Sequence, residues 1–82
     1  MPTDPPSAWT RTRLQAIGAR LRETRTTAGL SQEKLAELAG VDRKTVVRLE
    51  AGQRDVRLGV WMCLARAVGV PLSYLVRESD GG

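Results

Sequence analysis

The stretch LSQEKLAELAGVDRKTVVRLEAG, residues 30–52, limits what this chain can fold into more than any other. It holds two short apolar-periodic runs with a glycine between them. Ser31 stands one residue ahead of the first run, where its hydroxyl can accept an amide of the opening turn. Leu30 before that cap and Leu35 four residues after it have the spacing of a hydrophobic staple. Leu35, Leu38 and Ala39 share one helical face, and Gly40 ends the run because glycine tolerates the left-handed turn conformation. Val41 and Asp42 repeat the pattern as an apolar residue and a carboxylate cap, with Val46, Leu49 and Val47 spaced for a second helix. Val41 and Val46 make a second staple. Ala36 is small and falls where the second helix must cross close to the first. The pattern predicts a helix-turn-helix.

The outward positions of the second helix are Arg43, Lys44, Thr45, Val47 and Arg48. Two cations in a first turn oppose the helix macrodipole, at a cost of roughly a few tenths of a kcal/mol unless an anion or a base edge awaits them. Local conflicts of this kind are expected at functional sites. A solvated polar face is the bland alternative. The turn, the small residue and the basic outer face occur together, which favours a binding surface.

The stretch strongly resembles the helix-turn-helix family of phage repressors and Cro, also called the xenobiotic-response-element type. Gln32, Leu35, Ala36, Gly40, Val41, Val46, Leu49, Glu50 and Gly52 occupy motif positions, and LxxWxxLARAVGV, residues 58–70, resembles the family's fourth helix. The likeness runs from about Ile17 to Val76. It implies an all-α, compact five-helix lambda-repressor-like domain with the motif at helices 2 and 3. It further implies that Arg25, seven residues before Gln32, pairs with Glu50 in a buried structural ion pair. In relatives the residue matching Gln32 holds the DNA backbone and can brace the first recognition residue, which here is Arg43.

Eighty-two residues suit one small domain, for which oligomerisation is a plausible source of extra stability. The formal net charge of +4 fits a polyanionic partner without identifying one. Eleven of the 13 basic residues are Arg, which suits bidentate phosphate and guanine contacts, although codon bias gives the same ratio. With no His and Cys63 as the only cysteine, an internal disulfide and a Cys/His zinc site within one chain are both excluded. Cys63 is expected to be a small packed residue. No run approaches the ~18 apolar residues of a membrane span, and no signal peptide is visible. A cytoplasmic protein follows by default.

In order, MPTDPP carries three of the four prolines and opens an expected flexible arm, residues 1–7. Ser7 is nevertheless a candidate cap for the first helix. Leu14, Ile17 and Leu21 give that helix a buried stripe, which Trp9 either extends or leaves in order to anchor the arm on a partner subunit. Arg11, Arg13, Arg20, Arg22 and Arg25 cover the remainder, most of them read as solvated. Leu58, Trp61, Leu64, Ala65 and Val68 share a later helical face, where Trp61 is expected in the core. Pro71 opens a short last helix, and residues 77–82 read as a flexible tail. The predicted helices are 8–28, 31–39, 42–50, 57–68 and 71–76, inside a domain spanning 8–76.

Catalysis finds no support: there is no His, no glycine-rich phosphate loop and no carboxylate pair in an apolar context. No enzyme activity and no cofactor are expected. The family resemblance implies instead a dimeric, sequence-specific regulator whose second motif helix lies in the major groove of double-stranded DNA. Arg43 and Lys44 are then the leading guanine readers, Arg48 reads a base or holds a phosphate, and Thr45 or Val47 meets a thymine methyl. Gln32 and Arg54 are the backbone candidates. Met62, Tyr74 and Val76 are the dimer-contact candidates, with Trp9 as an outsider. Restriction–modification controllers and small phage repressors are compact regulators of this kind. Antitoxins share the motif and also bind and neutralise a partner toxin, an alternative that co-purification with a neighbouring gene product separates.

Overall fold

The computed structural model describes residues 7–78 and contains, among them, five α-helices and no strand. They are α1 (Ala8–Thr27), α2 (Gln32–Ala39), α3 (Arg43–Glu50), α4 (Leu58–Val68) and α5 (Leu72–Val76). Helices α2 to α5 each begin one residue later than the sequence suggests. The offset residues Ser31, Asp42, Arg57 and Pro71 are N-caps with extended backbone. The expected arm at 1–6 and the last four residues of the expected tail, 79–82, lie outside the described residues. Ser7, which the sequence offered both as the end of the arm and as a cap, is the N-cap of α1, with its Oγ accepting the Thr10 amide at 3.2 Å. Arg77 and Glu78 lie against α1, where Arg20 donates to the Arg77 carbonyl at 3.0 Å and Arg13 Nε stands 3.7 Å from the Glu78 carboxylate.

Helix α1 packs on α3, α4 and α5, while α2 packs on α3 and α4. Leu21, Leu35, Val46, Leu49, Leu64 and Leu75 are fully buried at the centre, with Ala36, Trp61, Ala65 and Val68 around them. Each large aliphatic side chain contributes roughly 1.5–3 kcal/mol by burial. That sum far outweighs the few tenths that cations cost at the start of α3. The fold therefore tolerates Arg43 and Lys44 there.

Three apolar or small residues leave the core that the sequence assigned them. Leu38 is 52% exposed, Leu58 is 64% exposed and Cys63 is exposed. The 100° helical step explains each. On α2 the buried Leu35 and Ala36 and the partly buried Ala39 centre on a line from which Leu38 is turned by about 105°. On α4, Leu58 is about 70° from the line of Trp61, Leu64, Ala65 and Val68, and Cys63 is about 150° away. Trp61 is buried as expected, with its indole Nε1 3.5 Å from Asp55 Oδ1.

Gly18 was invisible as a packing residue in the sequence. A Cβ at this buried position of α1 would fall 2.0 Å from the Leu49 carbonyl oxygen. The backbone of α1 thus rests directly on the last turn of α3. Gly52, just past that turn, combines φ of +70° with a Gln15 Cα that would lie 2.7 Å from its Cβ. Together the two glycines bring α1 onto the C-terminal end of α3. Among the described residues no helix is long and apolar enough to cross a membrane.

Candidate nucleic-acid interface

The motif is built from its caps outward. Ser31 Oγ accepts the Lys34 amide at 2.9 Å and starts α2, and Gly40 ends it in the left-handed conformation with φ of +73°. Leu30 and Val41 both pack against the core, as residues in the staple positions should. Asp42 departs from expectation: it occupies the N-cap of α3, but its carboxylate makes no capping hydrogen bond. The opening turn of α3 therefore has no side-chain partner for its amides and no acidic residue, and it carries Arg43 and Lys44.

At the other end of α3, Glu50 is the hub of a part-buried polar network. Arg25 Nε donates to Glu50 Oε2 at 2.6 Å and Nη2 donates to Oε1 at 3.0 Å, a bidentate pair with side chains only 12% and 3% exposed. The remaining terminal nitrogen, Nη1, donates to the Leu30 carbonyl at 2.8 Å. Gln32 Nε2 donates to Glu50 Oε1 at 3.1 Å. One carboxylate thus joins the end of α1, the turn before α2, the first residue of α2 and the end of α3. The hydrogen bonds to Glu50 raise the Arg25 pKa above its ordinary value, although burial works in the opposite direction. The brace from Gln32 to Arg43 that the resemblance implied is absent, because the Gln32 amide is held by the carboxylate at the far end of α3.

Arg43, Lys44, Val47 and Arg48 line one shallow depression on the outer face of α3, and all four are exposed. Among the described residues, no hydrogen bond or ion pair engages the side chains of Arg43, Lys44, Arg48 or Arg54. Thr45, expected on the same face, is half-buried and does not line the depression. Arg54 is exposed in the loop after α3, beside Asp55, whose Oδ1 accepts the Val56 amide at 2.8 Å and fixes the loop.

The dimer candidates divide. Met62 is 54% and Val76 39% exposed, and Trp9 on the first turn of α1 is 66% exposed, off the buried stripe. Tyr74 is half-buried. Its ring lies 5.5 Å from the Arg20 guanidinium and 5.1 Å from that of Arg77, so the protein itself already uses its faces. Sequence reasoning took most of the α1 arginines as solvated without singling out Arg13 and Arg20, and both cap α5. Arg13 donates to the Val76 carbonyl at 2.9 Å and Arg20 to the Tyr74 carbonyl at 2.9 Å. Signals for this were present: the two arginines are seven residues apart on one face of α1, and α5 has no basic residue in its last turn.

A family model described as a helix-turn-helix domain matches residues 16–75, and the chain belongs to that family. An uncharacterised transcriptional regulator of this type from Sinorhizobium medicae is 31% identical over 65 residues, covering 79% of this chain and 47% of that protein. Another, from Methanothermobacter thermautotrophicus, is 45% identical over 49 residues, covering 60% of this chain and 71% of its own length. The chain spans about half the length of the rhizobial relative. Among solved structures, the restriction-modification controller protein C.AhdI from Aeromonas hydrophila is 47% identical with a TM-score of 0.76, covering 78% of this chain and 97% of its own.

Proposed function

We propose that this protein is a sequence-specific DNA-binding transcriptional regulator, acting in the cytoplasm as a dimer that reads the major groove of double-stranded DNA with α3. The observation that carries the reading is the set of three cations on the outer face of α3 that have no partner among the described residues, two of them in a helix turn that disfavours positive charge. Arg43, Lys44 and Arg48 are the guanine and phosphate readers, with Val47 between them and Thr45 at the margin. Gln32 and Arg54 meet the backbone on either side, and Arg25 with Glu50 holds the frame. Met62 and Val76 provide the exposed apolar contact for a second copy, with Tyr74 at its edge and Trp9 beyond it. Paired modules would address half-sites about 34–36 Å apart. The role is binding, with no catalytic step and no cofactor.

The relatives named above are called transcriptional regulators and a restriction–modification controller, which supports this reading over toxin neutralisation. Selection from a random DNA pool, followed by titration against the selected operator and a scrambled duplex, tests it. A clear preference for the operator is expected. Equal affinity for both duplexes would sink the regulator reading. Sedimentation across the DNA-binding concentration range tests the dimer, and Met62→Asp should move the population toward monomer.

A further inference from the structure

Val47 is not part of the hydrophobic core. Val46 and Leu49 fill the core from α3, while Val47 is 39% exposed in the depression lined by Arg43, Lys44 and Arg48. A β-branched residue on a solvated helix face also gives up helix propensity relative to alanine. An apolar side chain ringed by three cations that have no partner among the described residues is a poor surface for a protein core. It suits one partner well.

The major-groove edges of base pairs present hydrogen-bond donors and acceptors, and a single apolar feature, the C5-methyl of thymine. Val47 lies one helical turn beyond Arg43 and Lys44, so in the docking proposed above it faces the groove next to the bases those residues contact. Thr45, the other candidate for a methyl contact, is half-buried and outside the depression. From this geometry we infer that Val47 is a specificity-determining residue that packs on a thymine C5-methyl, adjacent to a guanine held by Arg43 or Lys44. The inference rests on the DNA-reading role proposed above and names part of its target: each half-site contains a thymine neighbouring a guanine.

Deoxyuridine removes the methyl and leaves base pairing intact, so it isolates the contact. In the selected operator each thymine is replaced in turn by deoxyuridine, and binding is followed by fluorescence anisotropy. Wild type should lose about fourfold in affinity at one position per half-site, the value of one buried methyl. Val47→Ala should lose a similar factor on the thymine operator and no longer distinguish thymine from deoxyuridine there. Thr45→Ala should keep the distinction. Wild type that binds the operator specifically yet ignores every methyl overturns the inference and leaves the regulator reading standing. So does a Val47→Ala variant with an undiminished deoxyuridine penalty, or a Thr45→Ala variant that alone loses it. Wild type with no preference for the operator over a scrambled duplex overturns both. The deoxyuridine series on wild type needs no variant and stands by itself.

Discussion

The two ends of α3 are built on opposite terms. Its C-terminal end is fixed several times over: Glu50 accepts three hydrogen bonds from Arg25 and Gln32, and α1 lies backbone to backbone on Leu49 through Gly18. At its N-terminal end the N-cap carboxylate of Asp42 makes no capping hydrogen bond, the first turn holds no acidic residue, and the cations have no partner among the described residues. One eight-residue helix thus carries a rigid base and a bare tip. The difference shows how a small domain can hold one end of a helix fixed while leaving the side chains of the other end exposed. The contacts that orient the helix gather at its C-terminal end, so the cations at the other end need no internal contact among the described residues to be broken. Gln32 alone is both held by Glu50 and proposed to face a ligand.

The comparison breaks most completely at Glu50. Glu50→Ala leaves the Arg25 guanidinium buried without its anion, and removing one partner of such a pair costs roughly 3–5 kcal/mol. A domain of this size has about 5–15 kcal/mol in total, so the variant should melt far below wild type by circular dichroism, and Arg25→Ala should behave alike. The pH dependence has a definite sign. A raised pKa on a cation stabilises the fold fully below the ordinary arginine value and loses that contribution only as pH rises through the raised one. Titration of Arg25 should therefore add no slope to stability between about pH 5 and pH 9. Variants that melt like wild type would show that the base of α3 is not held as described.

Gly18→Ala tests the same end through packing alone. In an open helix this change gains up to about 1 kcal/mol in propensity. Here the new methyl meets the Leu49 carbonyl oxygen, a backbone atom that cannot move aside without shifting α3. Overpacking of this kind costs roughly 1–3 kcal/mol, so a net loss of stability is expected in denaturant titration. A gain would mean that α1 and α3 separate easily.

These two positions also show what a sequence discloses. The helices and caps were legible because periodicity, Ser31, Gly40 and the staples are local signals. The Arg25 and Glu50 positions were legible through resemblance, since nothing in their spacing of 25 residues announces contact. Gly18 was silent, because a glycine inside a helical run looks like weak propensity until the partner backbone is in place. Leu58 was misassigned for a related reason, since it lies within the half-cylinder facing the core and only the neighbouring helices decide how much of that is covered. Leu38 and Cys63 lie outside it, Leu38 having been taken too broadly into the face and Cys63 judged on residue type alone. The Arg13 and Arg20 caps on α5 required knowing where a five-residue helix ends in space.

At the bare tip the expected effects move from stability to binding. Replacing Arg43 or Lys44 by Ala should leave the melting temperature nearly unchanged, within about 0.5 kcal/mol, since neither side chain has an internal partner. Binding to the selected operator should weaken by about 1–3 kcal/mol where the residue pairs with guanine, with relaxed preference at one base position per half-site. A large drop in melting temperature with unchanged base preference would reverse the contrast between the two ends.

The smallest expected effect separates reading from simple attraction. Arg54 is exposed beyond the base of α3, in a loop held by the Asp55 bond to the Val56 amide. It is off the recognition face and is assigned to phosphate. A phosphate contact releases condensed counterions whatever the base sequence, so losing it reduces the slope of log affinity against log salt by about one. Arg54→Ala should accordingly weaken binding to the operator and to a scrambled duplex by the same factor, leaving their ratio unchanged. Arg43→Ala removes the same formal charge, but its main effect should be on the ratio. Titrations of both variants against both duplexes at several salt concentrations measure slope and ratio independently. If the two variants change slope and ratio alike, positive charge alone accounts for binding, and the outer face of α3 is an electrostatic patch with no reading function.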